Sequence, residues 1–212
     1  MRGGVIALAS AALAATAAAW AFDTLKPEAH AARPAAPEQP LSGDRIYLTK
    51  AQLDGAIAGG TLDRPVKSLL AVNAPLHFGD YSWDERGVPA GSTWVRVDLR
   101  SQLISVFRAG HEIGTAVIVY GGDNKETPTG TFHILARDKD HRSSLYDAAM
   151  PYTLQLTNDG VSIHGSTVRW GAATHGCIGV PLEFARRLFD QARVGDEVEI
   201  VAWPKPAVSQ SS

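Results

Sequence analysis

From Ser92 onward, apolar and polar positions alternate in short runs broken by glycine, asparagine and proline, the period-two pattern of half-buried strands. Trp94, Val95, Val97 and Leu99 lead through an Arg100-Ser101-Gln102 turn into Leu103, Ile104, Val106 and Phe107. A turn over 108–111 precedes a third strand over 112–120, and a glycine-bearing loop over 121–126 leads into 127–135. Further strands are predicted over 152–156, 161–164 and 198–203. One strong helical period covers 182–191, with Leu182, Ala185, Leu188 and Phe189 on one face. Many short strands with one helix predict a mainly β fold, a sandwich or barrel.

The chain before Ser92 is organised differently. Met1-Arg2 and an Ala/Leu-rich run over 1–22 read as a signal peptide, with Ala19-Trp20-Ala21 as a small-x-small cleavage site, or as an uncleaved membrane anchor. No cysteine stands near its end for lipid attachment. Residues 23–43 are rich in Pro, Ala and Glu and read as a tether. Residues 44–91 read as an extension packing on the main domain, with a short helix from Thr49 as N-cap to Ala58, stopped by Gly59-Gly60. A short strand over 68–72 and a turn-rich aromatic loop over 80–90 complete it. The main domain is assigned 92–203, and 204–212 a disordered tail.

Composition narrows the function classes. The 212 residues are 45% hydrophobic and 20% charged, ordinary globular values. A formal charge of −2 gives no basic excess for nucleic acid or an anionic membrane surface. Cys177 is the one cysteine, so no intrachain disulfide can form, and an exported lone thiol is either buried or used.

Its neighbourhood, Thr174-His175-Gly176-Cys177, favours use. His164 stands upstream at the end of a predicted strand, and a thiol with a histidine is the minimum set for a nucleophile and its base. Either His164 or His175 can supply that base; His164, approaching from an adjacent strand, is preferred. The sulfur is expected to be partly thiolate near neutral pH. The Gly176 and Cys177 N–H groups are expected to form an oxyanion hole at the mouth of the following helix. The Gly165 carbonyl can hold the Nδ1 proton of His164. A zinc site on Cys177, His164 and His175 lacks a further thiolate and a close-spaced ligand pair. His133 is read as a packed or half-exposed strand residue, His77, His111 and His141 carry no signal, and Asp123, Asp138 and Asp147 are read as solvated.

Ile163-His164-Gly165 followed by Thr174-His175-Gly176-Cys177-Ile178 resembles the signature of the L,D-transpeptidases, the YkuD-type peptidoglycan cross-linking enzymes. Thr127-Pro128-Thr129-Gly130-Thr131-Phe132 resembles the family's second recurring motif, and the strands from Val95 to Phe107 its opening hairpin. The resemblance implies a mainly β sandwich, Cys177 as nucleophile, His164 as base, Gly165 as its carbonyl acceptor, and His175, Gly176 and Cys177 around the oxyanion. It implies a tetrapeptide stem as donor, loss of D-alanine, and transfer to an amine. Water as acceptor would make a carboxypeptidase or cross-link hydrolase, and a spent site a silent wall-binding module. No cofactor and no metal are implied, the partner is peptidoglycan rather than nucleic acid, and a monomer in the periplasm or cell envelope is expected. Two departures stand out: Gly179 replaces the arginine often found two residues after the nucleophile, and the loop between the histidines is short. Arg169 is the candidate replacement for that arginine, with Thr174 and Tyr120 as further candidate substrate contacts.

Overall fold

The computed structural model describes residues 44–122, 125–143 and 147–202. The predicted signal or anchor, the tether, the tail, Asp123 and Trp203 lie outside these. In chain order the elements are β1 (Arg45–Ile46), α1 (Lys50–Ala58), β2 (Leu69–Leu70), β3 (Tyr81–Trp83), β4 (Thr93–Asp98), β5 (Leu103–Arg108) and β6 (His111–Val117). They continue with β7 (Gly130–His133), β8 (Ala136–Asp138), β9 (Thr153–Gln155), β10 (Ser162–Gly165), β11 (Ile178–Val180), α2 (Leu182–Gln191) and β12 (Glu197–Val201).

The fold is mainly β. A six-stranded sheet runs in the order β3-β6-β5-β4-β12-β7, and a four-stranded sheet in the order β11-β10-β9-β8. Between them, with α2, lies the main core: Val95, Val97, Ile104, Val106, Ile113, Leu154, Ile163, Ile178, Phe184, Leu188, Val198 and Ile200 are all buried. The sandwich follows from apolar alternation on strands of both sheets, each burying one face against the other. The β5–β6 turn has Ala109 and Gly110 both at positive φ (50° and 86°), the backbone that a two-residue hairpin demands.

The outer face of the six-stranded sheet is covered over β4 and β5 as well. Trp94 and Phe107, opposite each other on β4 and β5, stack at 4.2 Å and pack with Ala56, Leu62, Val66 and Leu69 of the N-terminal extension. Arg64 lies over the Trp94 ring at 4.4 Å and pairs with Glu197. Arg96, itself buried, reaches Glu199 at 2.7 Å and the Gly60 carbonyl at 3.0 Å, so its charge keeps partners when it loses water. Thr49 caps α1 through a reciprocal box with Gln52.

Several elements differ from the sequence expectation. Part of the 80–90 loop is an edge strand, β3, paired with β6, so the extension supplies a strand to the main sheet. The strand expected over 112–120 ends at Val117; Val119 then leaves the sheet to bridge Gly179. β8 and β11 are strands of three residues each, too short for alternation to reveal. In α2 the buried stripe is Phe184, Ala185 and Leu188, while Leu182 is 55% exposed because it opens the helix at its solvent edge.

Candidate active site

Two parallel strands build the site. β10 pairs with β11 in the register Ile163↔Ile178, His164↔Gly179 and Gly165↔Val180. Side chains alternate across a sheet, so Ile163 and Ile178 enter the core while His164 and the residues flanking Ile178 face the other way. Cys177 immediately precedes β11, and it and His164 both line one open cleft of about 630 Å³. Gly165 is fixed by its N–H to the Pro151 carbonyl at 2.8 Å, and a Cβ there would stand 2.9 Å from Leu182. Its own carbonyl lies 3.0 Å from His164 Nδ1. A carbonyl only accepts, so the proton sits on Nδ1 and the Nε2 lone pair is left for the cleft.

The turn before Cys177 is held from behind by residues 119–122 and by Thr127. Val119 and Gly179 exchange both backbone hydrogen bonds, at 3.0 and 2.8 Å. Thr174 donates its N–H to the Tyr120 carbonyl at 2.9 Å, accepts from Gly122 N–H at 3.2 Å, and donates its hydroxyl to the Cys177 carbonyl at 2.5 Å. Thr127, buried, accepts from Gly121 N–H at 2.9 Å and donates its hydroxyl to the Gly176 carbonyl at 3.0 Å. Gly176 sits at φ 95°, a backbone that a side chain would strain. Among the described residues no backbone carbonyl takes the N–H of Gly176 or Cys177. Two amides beside a sulfur can receive a negative oxygen. They sit at the start of β11 and not at the mouth of α2, because that strand intervenes before the helix.

Electrostatics sets the resting state. Burial pushes the Cys177 thiol above its ordinary value, against the smaller opposing effects of the Ser162 N–H and the Lys125 charge. Burial pushes His164 below its ordinary value, with His141 acting in the same direction and the Gly165 carbonyl opposing. Thiol and imidazole are therefore both neutral at neutral pH, where the sequence suggested a partly ionised sulfur. The sulfur lies 3.6 Å from the Gly160 carbonyl, which accepts its proton weakly.

The cleft also gathers residues that carried no signal in the sequence. His141 and Asp138, joined at 3.2 Å, line one side, and Lys125 and Asp159, joined at 3.5 Å, line another. His175 and Thr174 line it too. Arg169 and Tyr120 are not among its lining residues: Arg169 is exposed, and Tyr120 borders a separate depression with Arg100 and Thr129. Thr127 had a sequence signal, the motif around it, but no role until the fold showed its two partners.

The sequence pattern of the L,D-transpeptidase catalytic domain matches residues 92–200. The chain belongs to the L,D-transpeptidase family. A search of curated proteins found no match. Similar solved structures include an L,D-transpeptidase from Stackebrandtia nassauensis, at 24% identity and TM-score 0.49 over 56% of this chain and 58% of that one. Others are L,D-transpeptidase 1 of Mycobacterium tuberculosis (22%, 0.47, covering 53% and 62%) and an L,D-transpeptidase from Mycobacterium smegmatis (21%, 0.49, covering 54% and 69%). The chain thus spans about three fifths of the length of the first two.

The packing around Gly179 gives a structural reason for a glycine there. A Cβ at Gly179 would stand 2.7 Å from Val119 Cγ2 and 2.9 Å from Ser166 Cβ. Here that position is filled from both sides, so an arginine would have to push aside the Val119 and Ser166 side chains.

Proposed function

We propose that this L,D-transpeptidase domain is a cysteine acyltransferase acting on peptidoglycan stem peptides. In this reading His164 Nε2 takes the Cys177 proton as the sulfur attacks the carbonyl of the third residue of a tetrapeptide stem. The oxyanion rests on the Gly176 and Cys177 N–H groups. Collapse breaks the amide bond, and His164 returns the proton to the departing D-alanine amine, leaving a thioester on Cys177. An amine then attacks the thioester, His164 accepts its proton, and the sulfur leaves; a 3→3 cross-link or an attached protein or D-amino acid results. Water in place of the amine would give a carboxypeptidase or cross-link hydrolase.

The reading rests mainly on one observation, the β10–β11 register with His164 Nδ1 held by the Gly165 carbonyl. It supports the reading of Cys177 as nucleophile and His164 as base, since an Nδ1-protonated imidazole and the thiol line the same cleft. Peptidoglycan lies outside the inner membrane, and the proposed location is accordingly the periplasm or cell envelope, with residues 1–22 as export signal or anchor.

The test is mass spectrometry of disaccharide-tetrapeptide incubated with the protein, wild type beside Cys177→Ala. Cross-linked dimers from wild type alone are expected. Loss of D-alanine without dimers would favour the hydrolase. Unchanged substrate with both proteins would leave a silent wall-binding module as the better account.

A further inference from the structure

The stem-peptide donor ends in a free carboxylate one residue beyond the bond to be broken, and about 3.5 Å of chain separates the two. A site that recognises such a donor needs a cation near the nucleophile. Gly179 supplies none and has no room for one, and Arg169 lies outside the cleft lining. Among the described residues, Lys125 is the single lysine or arginine that lines the cleft.

Its placement is specific. The Lys125 carbonyl stands 2.2 Å from where a Cβ at Gly121 would be, so only glycine lets the loop close there, and the Lys125 N–H bonds the Gly122 carbonyl at 3.1 Å. From that anchored backbone the side chain runs along Gly176, its Cε 3.4 Å from the position of an added Cβ. It therefore passes the turn that carries the Gly176 and Cys177 amides, and its charge acts on the Cys177 sulfur. Its present partner is Asp159 at 3.5 Å, a long contact with side chains 40% and 68% exposed, which costs little to exchange. Asp159 lines the same cleft, with its carboxylate held at 2.5 Å by the Thr157 hydroxyl.

We propose that Lys125 binds the terminal carboxylate of the leaving D-amino acid, and that Asp159 occupies its ammonium while the cleft is empty. The proposal rests on the stem-peptide reading and extends it. It makes the cleft selective for donors whose chain ends at the leaving residue. A pentapeptide, with an uncharged amide at that point, would leave Lys125 with Asp159.

The experiment compares a tetrapeptide stem carrying a free C-terminal carboxylate with its C-terminal amide, following release of the terminal residue. Wild type is expected to favour the acid in kcat/KM by roughly 10- to 100-fold, the range of a charge-assisted hydrogen bond, and less so at high salt. In Lys125→Gln the ratio should fall toward 1, and Lys125→Arg should restore most of it. Asp159→Asn should lower KM for the acid by several-fold, since it removes the competing anion. Equal turnover of acid and amide by wild type would overturn the proposal and leave the acyltransferase reading standing. So would a Lys125→Gln protein slowed equally on both. Turnover of neither peptide by wild type would remove the parent reading and this one together.

Discussion

The two sheets of this domain use the same sandwich in opposite ways. The six-stranded sheet is sealed on both faces over β4 and β5, by the main core on one side and by α1 and the N-terminal extension packed on Trp94 and Phe107 on the other, while its edge strand β7 is mostly exposed. The four-stranded sheet has one sealed face, and its other face is the floor of the cleft. On β10 that contrast is carried by single residues, with Ile163 in the core and His164 beside it in the cleft. Burial on the sealed side gives rigidity, and partial burial on the open side tunes protonation. The same desolvation that would only be a cost in the core favours the neutral forms of Cys177 and His164.

If the division is right, substitutions on the two sheets should separate activity from stability. The largest effect belongs to the open sheet. Cys177→Ala is expected to lower acyl transfer by ~1,000-fold or more with melting nearly unchanged, measured by product formation and calorimetry. The opposite pattern is expected from Phe107→Ala, which empties the fully buried side of the stacked pair. It should cost about 3–5 kcal/mol of stability in denaturant titration, while folded molecules keep the wild-type rate of Cys177 alkylation. A slow alkylation in that variant would mean that the sheets are not independent.

Thr127→Val sits between the two regions and should move both quantities modestly. It leaves Gly121 N–H and the Gly176 carbonyl without the bridging hydroxyl, a loss of about 1–3 kcal/mol. Part of that loss should appear as a kcat lowered roughly tenfold, because the turn that orients the Gly176 and Cys177 amides loses its brace.

The smallest effects are in pH. A base whose value lies below the ordinary histidine value of about 6.5 stays unprotonated to lower pH, so the acid limb of Cys177 acylation should fall below that value. An acid limb above pH 7 would contradict the buried neutral imidazole. On the sealed sheet, burial holds the Glu112 carboxyl above its ordinary value, against hydrogen bonds from Ser105 and Leu70. The folded state therefore keeps a proton that the unfolded chain has lost. Stability should decline as pH rises from about 4.5 toward the folded value, and Glu112→Gln should flatten that slope.

Much of this was legible in the chain itself. Long alternating strands such as β4 and β5 announce themselves, and so does the amphipathic period of α2. The pair His164 and Cys177 stood out because chemistry needs those two residue types. What stayed hidden depends on contacts between distant segments. β3 looked like a loop because its partner β6 lies about thirty residues on. β11, of three residues, looked like the end of a turn. Lys125, Asp159 and His141 are ordinary loop residues until the fold gathers them with β8 and β9 around one space. The direction of both protonation shifts was likewise invisible, since sequence gives neighbours along the chain and not burial.

The central claim is that Cys177 carries the acyl group. Protein quenched in acid during turnover of a tetrapeptide stem, then weighed intact and mapped by proteolysis, tests it directly. The account predicts a mass increase equal to the stem less its terminal D-alanine, located on the peptide that contains Cys177, with none in Cys177→Ala. Turnover with no adduct at any time, or an adduct on another residue, would contradict it.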